Sequence, residues 1–575
     1  MAAVRSDKRN GRVNTPSAVA DALCSWAIRG QRDVVLDLGV GEGAFALAAV
    51  KRLRELGAPA AAASALIHGA ESDPQAFAHA QESASKTLGV ELPNVVCADF
   101  HTVVLPEADV VVGNPPYIRR QLQSHLARSR ASLGLLGIDG LADAYCYFLL
   151  RACRALRPGG RLAVIVSASW LDMRYGLELR RLLLEEFDLQ LLLGFDGQLF
   201  PDALVKPVVL LAERTGRRNR ISFARLADSA PLEGLKVLLS DVISGRENKD
   251  ATVTQVAPSD LSPTMGWSGF LKSPATYKEL IERTGLVPLG SVAETRIGLQ
   301  TFAKSFFVLE ESDILKWGIE PQYLARLVFS PRYTPSAVIR DSHSLRHFLF
   351  FCDRSLSELA GTGAAAYVTS AMEARVRVRG KDEWVDGFHR APRLARAHRT
   401  PWYNLKSEIE RRGSFPILLP RRVFKSYVVV HNVARAIPNE DFIEVRPTAG
   451  STVEAPLLCF LNSSIGEFVV RSNGFQYGGG VFNLNPGAVR HIPVMDPSNL
   501  SSAARARLDV AWQRYAAGYG NPEARRQVDQ TVAEVLGMAV DLRQQVDLSL
   551  AVLTRLSTVA GKAYGGSVPT NVSLW

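Results

Sequence analysis

Cysteine is scarce in this sequence, and its spacing supports neither a metal site nor a redox site. The 575 residues include six cysteines, and no two of them form a Cys-x-x-Cys pair. Such cysteines are typical of small core side chains in a reducing compartment. A disulfide-stabilised scaffold is therefore excluded, cysteine chemistry is not expected to be the function, and no metal is expected.

Long apolar runs are also absent. No stretch approaches the roughly 18 consecutive apolar residues that a membrane-spanning helix needs. Residues 1–12 are polar and basic and lack the apolar segment of a signal peptide. The sequence therefore predicts a soluble cytoplasmic protein with no membrane partner.

The overall composition is that of a folded protein with a surplus of positive charge. Hydrophobic residues make up 47% of the chain, which is too high for disorder, and the length predicts two to four domains. Lys and Arg number 67 against 57 Asp and Glu, which gives a formal net charge of +10. This surplus is compatible with a nucleic acid partner but does not establish one.

From residue 15 to about 215, short apolar runs alternate with helical patterns. This alternation is typical of a parallel sheet with helices on both faces, and it predicts a doubly wound α/β domain. The predicted strands cover residues 34–38, 65–70, 94–98, 108–113, 161–167, 189–195 and 205–213. The predicted helices cover residues 45–56, 74–88, 142–155 and 176–186.

The rest of the chain divides by composition. Residues 221–285 are rich in Gly, Asn, Ser, Asp and Pro, so we expect a linker or transition segment after a first domain at 1–220. Residues 286–500 show a mixed pattern, which predicts a second, α+β domain. Residues 501–575 predict a helical C-terminal segment, with helices at 503–515, 522–536 and 540–556.

Positive charge is concentrated within the predicted second domain. Residues 371–425, called the basic stretch below, contain 14 Lys or Arg and six Asp or Glu, interleaved with Trp384, Phe388, Trp402 and Tyr403. Such rings could stack on or wedge into a nucleic acid duplex held by the basic side chains. The alternative is a solvated basic face with ordinary core aromatics, and composition does not choose between the two.

A glycine-rich turn follows the first predicted strand and precedes a helix. It runs from Asp37 to Gly43, with glycines at 39, 41 and 43. Glycines allow the backbone to approach a ligand closely at the carboxyl end of a strand, so the turn favours a nucleotide-like ligand. The alternative is a turn that only closes a β–α unit.

Acidic residues end the next two predicted strands. Glu71 follows the second strand, where its carboxylate can accept hydrogen bonds from both hydroxyls of a ribose. Asp99 and Phe100 follow the third, where they offer a carboxylate to an adenine amine and a ring to pack on the base. A single acid at a strand end is common and is weak evidence for a ligand site. The evidence comes from the combination of these residues with the glycine turn.

The fourth predicted strand ends in Asn114-Pro115-Pro116-Tyr117. Three valines before this motif predict a buried strand, and two consecutive prolines prevent the strand from continuing. Asn114 and Tyr117 are thereby expected at the carboxyl edge of the sheet, where ligands of doubly wound domains bind. A purely structural turn does not account for this motif after a glycine turn and two strand-end acids.

Asn-Pro-Pro-Tyr is the signature of amino-methyltransferases that use S-adenosylmethionine. The chain resembles the gamma-class, TaqI-like N6-adenine DNA methyltransferases of restriction–modification systems, which also have a Thr-Pro element such as residues 14–17 before the glycine turn. Leu38 stands where the family often has proline, a minor departure. Residues 461–464, 478–480, 483–485 and 492–494 resemble the closing part of the family's target-recognition domain. The resemblance implies a Rossmann-like catalytic domain followed by target recognition at 286–500.

Site residues follow from the resemblance position by position. It implies that S-adenosylmethionine is held by Thr15, Asp37, Gly39, Gly41, Glu71, Asp99 and Phe100, with Asn114 beside it. It assigns catalysis to Asn114, Pro115, Pro116 and Tyr117. It places Tyr117 and Phe200 at the target base, although a phenylalanine before a strand is also typical of a core.

The implied activity is methyl transfer to the N6 amine of an adenine flipped out of double-stranded DNA. The enzyme would protect host DNA from a separate cognate restriction endonuclease. No Pro-Asp…Glu-x-Lys nuclease constellation is evident, so modification without cleavage is expected. The alternatives are an RNA adenine methyltransferase, a protein-glutamine methyltransferase, which shares the Asn-Pro-Pro-Tyr motif, and a non-catalytic DNA-binding subunit.

Overall fold

The structure is a computed structural model. It describes residues 14–100, 102–115, 144–197, 199–200, 206–216, 219–334, 336–378, 383–423, 426–476, 482–484 and 486–563. The chain divides into two compact units. The first contains residues 1–282 with the short segments 475–480 and 559–575, and the second contains residues 283–474 and 481–558.

A sheet of nine strands forms the centre of the first unit. Its strands are β1 Val35–Asp37, β2 Ile67–Glu71, β3 Asn94–Cys97, β4 Ala108–Gly113, β5 Leu156–Ser167, β6 Asp188–Phe195, β7 Pro207–Glu213, β8 Ile221–Leu226 and β9 Ala251–Val256. They lie in the order β3-β2-β1-β4-β5-β7-β6-β8-β9. The first five strands in this order, β3-β2-β1-β4-β5, are mutually parallel. Strand β7 is antiparallel to both of its neighbours, β5 and β6. The predicted doubly wound, Rossmann-like fold is confirmed.

Helices cover this sheet. They are α1 Ser17–Ala27, α2 Ala44–Glu55, α3 Ala60–Ala65, α4 Pro74–Leu88, α5 Ala144–Ala155, α6 Leu177–Glu186, α7 Leu235–Ile243 and α8 Ser268–Lys272. Helix α9, Pro274–Thr284, leads into the second unit. Leu23 of α1, Val50 of α2 and Ile165 of β5 belong to one buried cluster, so helix α1 is part of the core of the first unit.

Local signals in the sequence determine where several elements begin and end. Strand β4 contains three valines with no exposed surface, as expected for a strand covered on both faces. Helix α4 begins after Asp73, whose carboxylate accepts a hydrogen bond from the Gln75 amide at 2.8 Å, and it ends at Gly89 with φ of 67°. An N-cap acid, a proline at the first helical position and a C-terminal glycine together specify this helix.

The expected linker at 221–285 is wrong. Strand β8 pairs in parallel with β6, and β9 pairs antiparallel with β8, so this segment adds two strands to the sheet. Ile221 and Phe223 are buried, whereas the polar residues that suggested a linker occupy the connection between β8 and β9. Asn248 there donates to the Asp241 carboxylate at 2.9 Å. The first unit therefore extends to residue 282.

The second half contains many short strands. They are β10 Val287–Pro288, β11 Ala293–Ile297, β12 Val308–Leu309, β13 Leu324–Val328, β14 Val338–Ile339, β15 His347–Phe350, β16 Arg375–Arg377, β17 Trp384–Asp386, β18 Ile417–Pro420, β19 Arg422–Val423, β20 Val430–Asn432, β21 Ile437–Pro438, β22 Phe442–Pro447, β23 Phe475–Gln476, β24 Phe482–Asn483 and β25 Pro493–Val494. The larger sheets have the orders β11-β22-β18-β20-β14 and β12-β15-β13-β21, and in the described part of the chain β16 and β17 form a two-stranded sheet of their own. The predicted mixed α+β character is confirmed.

Helices connect these strands and close the chain. They are α10 Leu289–Val292, α11 Lys304–Phe307, α12 Glu311–Trp317, α13 Gly363–Glu373, α14 Pro392–Ala395, α15 Lys406–Arg412, α16 Glu454–Asn462, α17 Ser464–Asn473, α18 Pro486–Val489, α19 Ser502–Ala517, α20 Pro522–Val535 and α21 Val540–Ala563. The predicted helical C-terminal segment is confirmed. Helices α19 and α20 pack on α16, and Asp529 of α20 accepts from the Ser464 hydroxyl at 2.8 Å. These helices are therefore integrated into the second unit.

Within the described part of the chain, no single helix is long and apolar enough to cross a bilayer. The adjacent segments Ser451–Asn462 and Ser464–Asn473 reach the required length and apolar character only when taken together. They meet at an angle of 75°. All residues of α17 are buried from Ile465 onward.

Candidate active site

Strands β1 and β4 end side by side at the carboxyl edge of the first sheet. The Leu38 amide donates to the Val112 carbonyl at 3.0 Å, so their contact continues into the turns that follow. Gly113 has φ of 141°, and a Cβ there would lie 2.8 Å from the Leu38 nitrogen. Only glycine allows this approach. It places Asn114 next to the glycine turn.

The glycines of the turn serve different purposes. Gly43 has φ of 96°, and a Cβ there would lie 2.7 Å from the Leu47 side chain and 3.3 Å from the Ala80 backbone. Gly43 therefore permits α2 to pack against α4. Gly41 has φ of 54°. Among the described residues, the atom nearest to a Cβ added at Gly41 is the Gly39 carbonyl oxygen, 4.0 Å away. The turn thus leaves open space beside Gly41.

Asp37 ends β1 with a fully buried carboxylate. Neither carboxylate oxygen makes a hydrogen bond of ordinary geometry to a donor among the described residues. Burial raises the pKa of Asp37 to about 7; the Gly39 amide offsets part of this rise and Glu71 adds to it. A buried carboxylate with no donor in ordinary hydrogen-bond geometry is costly, so this arrangement fits a ligand that brings a cation or a hydrogen-bond donor.

Glu71 ends β2 and is bound to the glycine turn. Its carboxylate accepts from the Gly41 amide at 3.0 Å and from the Asp73 amide at 2.8 Å. These bonds fix the direction of the carboxylate at the strand end. Because a carboxylate oxygen has two lone pairs, the same group can also accept from ligand hydroxyls.

Asp99 and Phe100 follow β3, as predicted, but the Phe100 ring lies in the interior. It is 3% exposed and stacks on Phe148 of α5, with ring centroids 4.8 Å apart. Arg151 of α5 donates to the carbonyls of Phe100 and Val103 and so holds the loop. Contact of Asp99 and Phe100 with an adenine stays a prediction.

Arg151 was not identified from the sequence. Its guanidinium also lies over the Phe100 ring, 5.3 Å from the centroid. Burial lowers its pKa, and Asp99 opposes that effect. An arginine on a helix is usually solvated, and no local pattern distinguishes this one.

The N-terminal Thr-Pro element reaches the Asn-Pro-Pro-Tyr motif. Asn114 Nδ2 donates to Thr15 Oγ1 at 3.2 Å, although the two residues are 99 positions apart. The neighbouring Asn14 amide donates to Glu42 of the glycine turn at 3.3 Å. Thr15, the turn and Asn114 therefore form one site. Pro115 is buried beside it, and Pro116 and Tyr117 lie outside the described residues.

The structure places Phe200, which is expected from the resemblance at the target base, in the interior of the first unit. The ring is 2% exposed and belongs to the hydrophobic core that also contains Leu193 and Val209. Contact of Phe200 with a target base stays a prediction. The apolar character that suggested stacking places the side chain in the core instead.

The basic stretch contains arginines of two kinds. Arg399 pairs with Glu408 at 2.8 Å, and Arg412 pairs with the buried Glu444 at 2.6 Å. Others are exposed, namely Arg375, Arg377, Arg390, Arg393, Arg396 and Arg411. The charge count of this stretch therefore overstates the cationic surface.

The aromatic residues of the basic stretch also separate into two kinds. Tyr403 is buried, and Trp402 and Phe388 pack on Phe306 at centroid distances of 4.6 and 5.6 Å. Trp384 is 51% exposed. The core alternative thus holds for three of the four rings, and Trp384 is the one at the surface.

Two family models match this chain. One, described as the Eco57I restriction-modification methylase, matches residues 78–200. The other, described as the C-terminal domain of the Type II methyltransferase M.Eco57I, matches residues 271–532. The first match contains the Asn114 motif, and the second contains the basic stretch.

Individual relatives agree with these matches. The Type II methyltransferase M.AccI of Acinetobacter calcoaceticus is 21% identical over 502 residues, which cover 83% of this chain and 84% of that protein. The Type II methyltransferase M.XamI of Xanthomonas campestris pv. amaranthicola is 30% identical over 187 residues, or 31% of this chain and 34% of that protein.

A solved structure is similar in fold. The Type IIL restriction-modification enzyme MmeI, determined in complex with DNA, aligns with a TM-score of 0.58 and 12% identity. The alignment covers 94% of this chain and 75% of that one. The similarity therefore extends over both compact units.

Proposed function

We propose that the chain is a restriction–modification DNA methyltransferase that methylates the N6 amine of adenine in duplex DNA with S-adenosylmethionine. The observation that carries the proposal is the position of Asn114. Its side chain lies at the carboxyl edge of the sheet and is bound to Thr15, and a Cβ on the preceding Gly113 would lie 3.1 Å from an Asp37 carboxylate oxygen. An amide at this position suits a substrate with an exocyclic amine.

The residues of this edge fit S-adenosylmethionine. Asp37 presents a buried carboxylate that calls for a cationic or donating partner, and the cofactor carries an ammonium group and a ribose. The Gly41 amide orients the Glu71 carboxylate, which would accept hydrogen bonds from the ribose hydroxyls. The absence of a side chain at Gly41 leaves room for the cofactor beside the backbone. Asp99 and Phe100 would contact the adenine ring. The cofactor supplies a methyl group already activated by its sulfonium.

Asn114 would prepare the adenine amine for attack. Its NH2 group donates to Thr15, so its carbonyl oxygen lies on the side away from Thr15. This oxygen and the Pro115 carbonyl would accept hydrogen bonds from the two N–H groups of the amine, which favours a pyramidal nitrogen and makes its lone pair available. No strong base is then needed, because alignment of amine and methyl supplies much of the acceleration.

The target adenine must leave the duplex to reach this edge. Extrusion costs a few kcal/mol of lost stacking, which an aromatic side chain at the site offsets. Tyr117 is the residue we assign to this role, from its place in the Asn-Pro-Pro-Tyr motif. The exposed arginines of the basic stretch would hold DNA phosphates. A separate cognate endonuclease in the same cytoplasm completes the proposed system.

Base-resolved detection of modified DNA tests the proposal. DNA from cells that express the wild-type protein should carry N6-methyladenine in one sequence motif. Asn114→Ala should lower turnover by about 10³-fold or more, because the hydrogen bond that orients the amine is lost. Its affinity for S-adenosylmethionine, measured by calorimetry, should stay within a few-fold of wild type.

A different modified base would refute the proposal, as would methylation confined to RNA or protein. Undiminished turnover by Asn114→Ala would refute the role of Asn114. The matched control is Asn94→Ala, an exposed asparagine at the opposite end of a strand in the same sheet. This control should leave turnover and the modified motif unchanged.

A further inference from the structure

An exposed two-stranded ribbon stands apart from the larger sheets of the second unit. It consists of β16 paired antiparallel with β17. A hydrogen bond from the Val378 amide to the Glu383 carbonyl, 2.7 Å long, extends the pairing toward the tip. Another of 2.7 Å from the Gly387 amide to the Ala374 carbonyl closes the base. The ribbon is thus fixed to the end of α13.

Gly387 makes the base of the ribbon rigid. It has φ of 90°, and a Cβ there would lie 2.4 Å from the Met372 carbonyl oxygen. Any other residue would push the ribbon away from α13. A rigid base holds the ribbon side chains in a defined direction.

The register gives the ribbon two different faces. Arg375 lies opposite Asp386, and Arg377 lies opposite Trp384, so these four side chains share one face. All four are exposed. Val376 and Val385 form the other face and are half-buried. The alternation therefore directs a charged and aromatic face toward solvent.

The outward face has the composition of a binding surface. Trp384 is 51% exposed, and the Arg375 guanidinium lies 5.4 Å from its ring centroid. This cation–π contact orients both side chains before any partner binds. Exposed tryptophan and arginine are enriched where proteins contact partners.

The mixture of charges distinguishes base contact from phosphate contact. A surface that only holds phosphates is expected to be uniformly basic, because a carboxylate repels them. Base edges require both signs, since arginine donates to guanine O6 and N7 and aspartate accepts from cytosine N4. The major groove also admits a two-stranded ribbon. Asp386 directly opposite Arg375 matches this second requirement.

We propose that the β16–β17 ribbon enters the major groove of the substrate DNA, where Arg375 and Asp386 read a G·C base pair. Arg375 donates to the guanine, and Asp386 accepts from the cytosine amine of the same pair. Trp384 buttresses Arg375 and packs along the groove. The inference rests on the proposed function, since it requires duplex DNA as the substrate.

Modified-base sequencing of DNA methylated by purified variants tests this inference. Arg375→Ala should still methylate adenine, but discrimination at one G·C position of the motif should fall by about 10- to 100-fold. Asp386→Ala should relax the same position. The control is Arg393→Ala, which removes an exposed arginine of the same basic stretch outside the ribbon. That variant should keep the wild-type motif.

The outcomes separate the inference from the proposed function. If the wild-type enzyme leaves DNA unmethylated, the proposed function and the inference both fail. If it methylates one motif and Arg375→Ala and Asp386→Ala keep full discrimination at every position, the inference alone fails. A uniform loss of affinity in Arg375→Ala, equal to that of Arg393→Ala, would assign Arg375 to phosphate and also overturn it. Unchanged melting temperatures would exclude misfolding as the cause.

Discussion

The glycine turn between β1 and α2 and the basic stretch differ in what determines the role of each residue. In the turn, neighbours within a few positions interact through the backbone, so spacing in the sequence determines geometry. In the basic stretch, the role of an arginine depends on whether a distant acid faces it. Arg412, at the end of helix α15, is structural because Glu444 on strand β22 lies 2.6 Å away. Motif spacing is thus informative where charge counts are not.

The largest effect on stability is expected from a substitution that disrupts the glycine turn. Gly43→Ala should lower the free energy of unfolding by about 2–4 kcal/mol, because it combines a strained φ with overlap against Leu47 and Ala80. Gly41→Ala should cost about 1–2 kcal/mol, because only the left-handed conformation is strained. It should nevertheless weaken S-adenosylmethionine binding by filling the open space. Denaturant unfolding measures the two stability losses, and calorimetry measures the affinity for S-adenosylmethionine. Equal stability losses in the two variants would contradict the different roles of Gly43 and Gly41.

The next effect tests the two kinds of arginine. Arg399 donates to the carbonyls of Gln300 and Thr301, each at 3.0 Å, besides pairing with Glu408. Arg399→Ala should therefore lower the unfolding free energy by about 1–3 kcal/mol, because buried acceptors lose their donor.

Arg393→Ala is the matched comparison, because Arg393 is exposed. Its unfolding free energy should change by less than about 0.5 kcal/mol. Its DNA affinity should become less sensitive to salt, with the log–log slope reduced by about one. A stability loss in Arg393→Ala, or no stability loss in Arg399→Ala, would contradict the division of the basic stretch into structural and exposed arginines.

The smallest effect concerns the protonation of Asp37. Burial raises its pKa to about 7, so the folded protein without cofactor holds a proton that the unfolded chain releases near pH 4. This contribution to stability is complete at low pH and is lost as the pH rises through 7. A bound ammonium favours the carboxylate, so cofactor binding should release a proton near and below pH 7.

Calorimetry in buffers with different protonation enthalpies measures this release. Asp37→Asn should lower cofactor affinity at pH 8 by about tenfold, which corresponds to about 1.4 kcal/mol. It should also remove the part of proton release that belongs to the protein. The same proton release in wild type and variant would contradict the role of Asp37.

The sheet could be predicted well because its signals are local. The bounds of β4 and α4 match the predicted 108–113 and 74–88, since valine runs, caps and glycines lie at their ends. Strands β8 and β9 were missed because polar residues between them resemble a linker. The pairing of β8 with β6 and of β9 with β8 depends on contacts that no short sequence window contains.

The site shows the same limit. Asp37, Glu71 and Asn114 follow strand ends, and the topology of a doubly wound sheet brings such ends together. The contact between Thr15 and Asn114 depends on packing of residues far apart in the chain, and only the family resemblance anticipated it. The burial of Phe200 and the hydrogen bonds of Arg151 could not be predicted from the sequence, because both depend on which distant residues pack against them.

The two added strands also define where a functional catalytic fragment can end. A fragment cut at residue 220 would strip β8 from β6 and leave the amides and carbonyls of β6 open to pairing between molecules. It would be prone to aggregate. A cut near residue 282 keeps all nine strands together. Chimeras that exchange target specificity between relatives should therefore be joined there.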